Sequence, residues 1–396
     1  MMQISPETQL FIREHSSDDV RVLALQAKKY PDIDMPTAIT QIAGRKVAAE
    51  KIPSWWEIEK IWYPKHLSLE QCSSEITARY KARLLQGDSL TDLTGGFGID
   101  CSFLATGFKS ATYVERQEEL CEIAAHNFPV LNLNHINIKN EDGVTYLQAM
   151  SPVDCLFLDP ARRNEHGGKT VAISDCEPNV AELEELLLQK ANRVMIKLSP
   201  MLDLSLALKE LKHTQEVHIL SVNNECKELL ILLGQTSPTE ISIHCVNLST
   251  KGTQEEQHFV FTREQEQCSE CTYTDSLETY LYEPNASLLK AGAFRSIAAA
   301  YPVRKLHPNS HLYTSDTFIE NFPGRIFRIV NQCSFNKKEV KENLADLKKA
   351  NVTVRNFPAT VAELRKRIHL AEGGDTYLFA STLNNGQKVL IRCEKV

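Results

Sequence analysis

The stretch Ser89–Asp100, SLTDLTGGFGID, constrains the fold more than any other part of the 396-residue chain. A short β-branched and apolar run ends in Asp92. A turn dense in glycine (Gly95, Gly96, Gly98) follows, and the sequence then becomes polar and helix-like through Cys101 and Leu104. A strand that breaks into glycine-rich backbone and opens a helix lets a ligand approach the main chain closely. Its amides and the helix N-terminus favour negative or polar ligand groups.

The chain differs on the two sides of this stretch. Before Leu90 there is no strand alternation, and Thr37–Ala49 and Glu75–Leu85 carry apolar residues at three- and four-residue spacing, which predicts helices. Between them lie Trp55, Trp56, Ile58, Ile61, Trp62 and Tyr63. Such a cluster either stacks nucleobases or packs a helical cap onto the next domain. From Leu90 strand and helix alternate, the mark of a parallel sheet with helices on both faces. Strands are expected at Leu90–Leu93, Ala111–Glu115, Ile136–Lys139, Val153–Leu158, Arg193–Leu198, Glu216–Val222 and Glu228–Leu233. Helices are expected near Cys101–Thr106, Glu118–Asn127, Val144–Met150, Asn179–Gln189 and Leu204–Leu211. Only a loop separates the last two strands, so a closing antiparallel pair should complete a seven-stranded Rossmann-like α/β sheet.

After Gly234 the run Gln235-Thr236-Ser237-Pro238 marks a break. Ile241–Leu248 and His258–Thr262 alternate like strands, and an Ala-rich helix is expected over Ser287–Ala300. From Gly324 the pattern reads strand Ile326–Asn331, helix Lys337–Lys349, strand Val352–Asn356, helix Thr360–Ala371, strand Thr376–Ser381 and strand Lys388–Cys393. This is a small α+β unit, with Asn384-Asn385-Gly386 as a tight hairpin.

Composition excludes rather than selects. With 42% hydrophobic and 24% charged residues, the chain is neither collagen-like nor low in complexity. No run approaches the ~18 apolar residues of a membrane span. The start, MMQISPETQLFIREH, has no apolar core of signal-peptide length, so a cytoplasmic location and no membrane contact are expected. Eleven scattered cysteines, mostly within apolar segments, read as reduced core thiols. Cys268-Ser-Glu-Cys271 has no second ligand pair at metal spacing, and His258 is its nearest histidine; no metal is expected. The net charge of −7 is uneven: Glu320–Val396 holds 14 Lys/Arg against 8 Asp/Glu. A basic tail on an acidic body points to polyanion contact or to a solvated face.

In an open α/β sheet, ligands lie beyond the carboxyl ends of the strands, near the point where strand order reverses. The first strand delivers Asp92, Thr94 and the Gly95–Gly98 loop there. The second ends in Glu115, whose carboxylate can accept two hydrogen bonds from a ribose diol. The third ends near Glu141-Asp142, either an adenine-side acceptor or a helix N-cap. The fourth ends in Asp159-Pro160-Ala161-Arg162. Arg162–Glu177 is a long loop with Gly167-Gly168 as a hinge, either a lid or an ordinary loop. Lys197, at the end of the fifth strand, either contacts substrate or is solvated.

Asp92-Leu-Thr-Gly-Gly-Phe-Gly resembles the D-x-x-x-G-x-G loop of class I S-adenosylmethionine-dependent methyltransferases. Glu115 resembles their ribose-binding acid, Asp142 their adenine-side acid, and Asp159-Pro160 the start of their fourth motif. More widely, QCSSEITARYKARLL (Gln71–Leu85), the DPARR run, YEPNASLLKAGAF and the basic tail resemble an uncharacterised bacterial methyltransferase family. Its members carry a small ferredoxin-like segment and a C-terminal THUMP-like domain. The resemblance implies a helical region over 1–85, a methyltransferase domain over 86–235, connecting strands, a helix and the ferredoxin-like segment over 236–320, and a THUMP-like α+β domain over 321–396. It implies S-adenosylmethionine as cofactor, held by Asp92, Thr94, Gly95, Gly96, Gly98, Glu115 and Asp142, and RNA (tRNA or rRNA) as substrate.

Asp159, Pro160 and Arg162 are the expected catalytic group, with Arg162, Arg163 and Lys197 on the substrate. One departure matters: the fourth motif has Arg162-Arg163 where amine-methylating relatives have an aromatic ring. A guanidinium can stack on a base or grip a phosphate, so RNA survives while an amino-group target does not follow. Two other readings stay open. One is a module that binds cofactor or RNA without transfer. The other is a nicotinamide-dependent oxidoreductase, for which Cys101 stands where G-x-G-x-x-G needs its last glycine.

Overall fold

The computed structural model describes residues 4–162, 172–250 and 256–396. Six α-helices precede the first strand among the described residues: Pro6–Glu14, Val20–Leu25, Met35–Lys51, Pro53–Trp56, His66–Gln71 and Glu75–Ala82. The longest begins where its sequence directs, with the Asp34 carboxylate accepting from the Thr37 amide and proline in the first turn.

Most of the tryptophan-rich stretch is packing, while Trp56 stays 42% exposed. Trp55 is 2% exposed and meets the Phe97 ring edge-on at 5.2 Å, within a core that includes Ile52, Ile61, Tyr63, Ile99 and Ile123. Trp62 stacks on His126 with centroids 3.7 Å apart. Two side-chain amides fasten the segment: Gln41 bonds the N–H and C=O of Tyr63, and Asn127 those of Trp62.

Nine strands follow: β1 (Ser89–Asp92), β2 (Ser110–Glu115), β3 (Ile136–Asn140), β4 (Val153–Leu158), β5 (Ala191–Leu198), β6 (Thr214–Val222), β7 (Glu225–Gly234), β8 (Ser242–Leu248) and β9 (Gln257–Thr262). Their order in the sheet is β9-β8-β6-β7-β5-β4-β1-β2-β3. β3, β2, β1, β4 and β5 pair in parallel, and strand order reverses between β1 and β4. Crossover helices Ile99–Leu104, Glu118–Val130, Gly143–Ala149 and Val180–Lys190 lie between these strands in sequence. A two-residue ribbon pairs Ala161–Arg162 with Cys176–Glu177.

Several details depart from the sequence pattern for physical reasons. The expected five-residue loop between β6 and β7 is the pair Asn223-Asn224, both at positive φ (51° and 66°), because asparagine tolerates the left-handed conformation a two-residue hairpin needs. The sheet does not stop at seven strands: β8 adds in parallel to β6, and β9 antiparallel to β8. The expected helix Ser287–Ala300 is two, Ala286–Ala291 and Ser296–Ala300, because Gly292 closes the first at φ +78°.

A second sheet holds β10 (Tyr280–Pro284), β11 (Arg304–Lys305), β12 (Tyr313–Ser315), β13 (Gly324–Ser334), β14 (Asn351–Val354), β15 (Thr376–Thr382) and β16 (Lys388–Lys395), in the order β11-β12-β10-β13-β16-β15-β14. Helices Lys337–Leu344 and Val361–Ile368 stop short of their expected ends, where Lys348–Ala350 and Ala371 enter backbone pairing instead. By packing, the chain divides into two compact units, Met1–Gln215 with Leu230–Pro238, and Glu216–Leu229 with Thr239–Val396.

Candidate active site

β1 ends in Asp92, 1% exposed, whose carboxylate accepts the Thr94 amide at 3.0 Å. The chain then turns through Gly95, whose amide donates to the Val114 carbonyl at 2.8 Å. A Cβ on Gly95 would lie 2.3 Å from the Tyr113 ring, so only glycine lets the loop pass there. Gly96 and Gly98 sit at φ +54° and +87°. A Cβ on Gly96 would find only the Thr94 carbonyl within 4 Å, so this side of the loop faces open space. Glu115, at the end of β2, holds the loop in shape. Its two oxygens accept the amides of Gly96 and Gln117, each at 2.8 Å. Carboxylate oxygens have further lone pairs, so the group can serve the loop and a ligand together.

The end of β4 is tied to the same loop: the Asp159 amide donates to Thr94 Oγ1 at 2.6 Å. Its side chain belongs to a charged chain running into the protein. The Lys197 ammonium pairs closely with Asp159 Oδ2 and lies 3.2 Å from Ser73 Oγ and 3.5 Å from Asp100 Oδ2. Lys81 contacts Asp100 Oδ1 at 3.0 Å and Ser73 Oγ at 2.9 Å, and the Ser73 hydroxyl donates to Asp100 Oδ2 at 2.7 Å. The Lys81 side chain is 0% exposed, and pairing with Asp100 and Ser73 helps make its charge tolerable there.

Two buried carboxyls therefore behave oppositely. Burial pushes the Asp92 carboxyl well up; the Thr94 amide opposes this, while Asp100, Asp159 and Glu115 add to it. Burial also pushes Asp100 up, but Lys81, Lys197 and Ser73 outweigh it and hold the carboxyl below the usual range.

Asp92, Thr94, Gly95, Gly96, Gly98, Glu115, Asp159 and the buried Pro160 thus meet at the carboxyl edge around the strand-order reversal. Asp142 is an exposed helix N-cap, its Oδ1 accepting from the Val144 and Thr145 amides, both at 3.0 Å. Lys197, expected as a rim cation, turns inward because Asp159 and Asp100 draw its ammonium down. Arg163, the Arg162 side chain and the Gly167-Gly168 hinge lie outside the described residues.

Comparison with known proteins follows the same lines. Residues 280–323 match the model of a ferredoxin-like domain, and 324–395 that of a THUMP domain-like family. Over its full length the chain is similar to a candidate methyltransferase from Porphyromonas gingivalis W83 of known crystal structure. The two are 35% identical, the match covers 100% of both chains, and the TM-score is 0.88. The chain belongs to this methyltransferase family. No curated protein matches it. The modification subunit of a candidate type I restriction enzyme from Vibrio vulnificus YJ016 aligns with 51% of the chain and 56% of its own, at 12% identity and a TM-score of 0.35.

In this methyltransferase-family protein, three site residues escape sequence reasoning: Ser73, Lys81 and Asp100. One of them left a trace. Lys81 falls on the same helical face as the buried Thr77 and Ala78, and a lysine on a buried stripe signals a buried partner. Asp100, the last residue of the Ser89–Asp100 stretch, gave no sign of that pairing.

Proposed function

We propose that the protein is an S-adenosylmethionine-dependent methyltransferase of the cytoplasm that modifies RNA, either tRNA or rRNA. One observation carries the reading: the glycine loop, Glu115 and Asp159 are hydrogen-bonded into one constellation beside the strand-order reversal. The donor set suits the cofactor. Its amino-acid end needs backbone amides and acceptors, its ribose diol a carboxylate, and its adenine amine another acceptor. The open side of Gly96 leaves room for a bound group against the main chain.

In this reading Asp92, Thr94 and Gly95–Gly98 hold the methionine portion, Glu115 the ribose and Asp142, through its second oxygen, the adenine. The cofactor supplies an electrophilic methyl group when bound. Asp159 orients the acceptor atom, Pro160 stiffens the backbone behind it, and Lys197 keeps the carboxylate aimed. Arg162 and Arg163 engage the nucleic acid. Placement in line provides most of the rate, with modest proton-transfer demand. The THUMP-like match over 324–395 and the basic surplus of that segment support an RNA substrate.

Calorimetric titration with S-adenosylmethionine and S-adenosylhomocysteine tests the cofactor. Binding is expected, weakened tenfold or more by Glu115→Ala, and its absence sinks the reading. A second reading, a module that binds without transferring, is favoured by one contact: Asp159 is already neutralised by Lys197. Labelled S-adenosylmethionine and total RNA from a deletion strain separate the two. Incorporation that disappears in Asp159→Ala supports the enzyme; cofactor binding without incorporation supports the module.

A further inference from the structure

A second cluster of ligand-type side chains lies on β6, β8 and β9, and the function proposed above makes no use of it. Glu216 and His218 are two apart on β6 and share a face of the sheet. Parallel pairing sets Ser242 opposite Glu216 and His244 opposite His218. Antiparallel pairing sets His258 of β9 opposite Val246, two residues from His244 and on the same face. Register alone thus gathers three imidazoles and a carboxylate on one patch of sheet.

We propose that Glu216, His218 and His244 form a binding site for one divalent ion of the zinc class, with His258 as the residue that positions His244. The distances support it. One ligand atom from each of the three residues lies within 4.8 Å of the others. Metal–ligand bonds of about 2.0–2.1 Å in a tetrahedron give ligand–ligand edges of about 3.3–3.4 Å. His218 Nε2 and Glu216 Oε2 already stand 3.2 Å apart. The His218 and His244 rings stack with centroids 4.3 Å apart and planes 17° from parallel.

His244 Nδ1 faces His258 Nε2 at 3.1 Å, and His244 Nε2 faces the Ser242 hydroxyl at 3.2 Å. A ligating histidine ordinarily has its other ring nitrogen in a hydrogen bond that fixes tautomer and ring direction, and His258 is placed to provide it. The ion would be coordinated through Glu216 Oε2, His218 Nε2 and His244 Nε2, with water at the fourth position, and so clip β6 to β8. Imidazole with carboxylate suits zinc and cobalt and disfavours magnesium and calcium. Cys268 and Cys271, the pair the sequence offers for metal, are not members of this cluster.

The test uses the full-length, metal-free protein titrated with Co²⁺ by visible absorption and with Zn²⁺ by calorimetry. One ion per chain is expected, with a tetrahedral cobalt spectrum free of thiolate charge-transfer bands. Glu216→Gln and His244→Ala should each weaken binding tenfold or more. His258→Ala should weaken it by about 10–100-fold, as other outer partners of metal ligands do. At one Zn²⁺ concentration the Tm of the natural protein should rise more than that of Glu216→Gln, whose Tm without metal serves as the folding control. No binding, affinity unchanged in Glu216→Gln and His244→Ala, or a cobalt signal abolished by Cys268→Ser with Cys271→Ser would each overturn the proposal.

Discussion

Asp92 and Asp100 stand eight positions apart, and the protein treats them as opposites. For Asp100 the folded-state pKa is lowered, so its stabilisation is complete above the ordinary carboxylate pKa, about 3.9, and is lost as pH falls below that towards and through the lowered folded-state value. For Asp92 the folded-state pKa is raised, so it costs nothing below that point and progressively more as pH rises. Two asparagine substitutions separate these effects. Asp100→Asn removes the Asp100 carboxylate from the fully buried Lys81 and should cost about 3–5 kcal/mol at pH 7, with the deficit shrinking below pH ~4. Asp92→Asn keeps an oxygen for the Thr94 amide and should unfold at higher urea concentration than the natural protein at pH 8, with the gain vanishing near pH ~4. Shifts of the same sign in the two pH series would contradict this account. These residues also mark the limit of sequence reading. The positions of Glu115 and Asp159 at strand ends are legible because the apolar runs before them mark the strands. The Lys81–Asp100 pair joins two helices, and no spacing rule links residues nineteen apart on different elements.

At the level of elements, the parallel strands are the most legible part, because β-branched and apolar runs at regular intervals leave few other arrangements. The β6–β7 turn and the break at Gly292 were hidden because each depends on one or two residues accepting left-handed backbone, which hydrophobic periodicity does not register. The strand pairing that joins the ferredoxin-like and THUMP-like segments was equally invisible. β10 of the first pairs with β13 of the second over Tyr280–Pro284. Across that pairing the Glu283 carboxylate, 1% exposed, takes Arg325 on one oxygen and Arg355 on the other. A chain cut after Pro323 loses both guanidinium partners and the sheet edge together. It should not show the cooperative thermal unfolding of the full chain by circular dichroism. A truncated chain with an unchanged transition would mean that the shared sheet is dispensable.

For the molecule as a whole, removal of the C-terminal segment is thus a poor test of RNA contact, since loss of binding would be confounded with loss of fold. Surface charge offers a cleaner one. Helix Lys337–Leu344 and the end of helix Val361–Ile368 border a cavity of about 240 Å³ lined by Phe335, Lys337, Lys341 and Arg367, with the Arg367 guanidinium 4.4 Å from the Phe335 ring centre. Replacing Lys337, Lys341 and Arg367 together by glutamine should weaken RNA binding and flatten the slope of log affinity against log salt by about two. An unaltered slope would assign the basic surplus to solubility alone. No helix among the described residues is long and apolar enough to cross a membrane. The packing of Trp55 against Phe97 has one more consequence, and it is optical. The chain contains three tryptophans, all between positions 55 and 62, and one of them rests edge-on against a ring carried by the glycine loop. The Trp55 share of the unlabelled protein's ultraviolet emission is therefore a local signal from the wall of the loop, and any molecule that displaces Phe97 on arrival alters that share in colour and intensity.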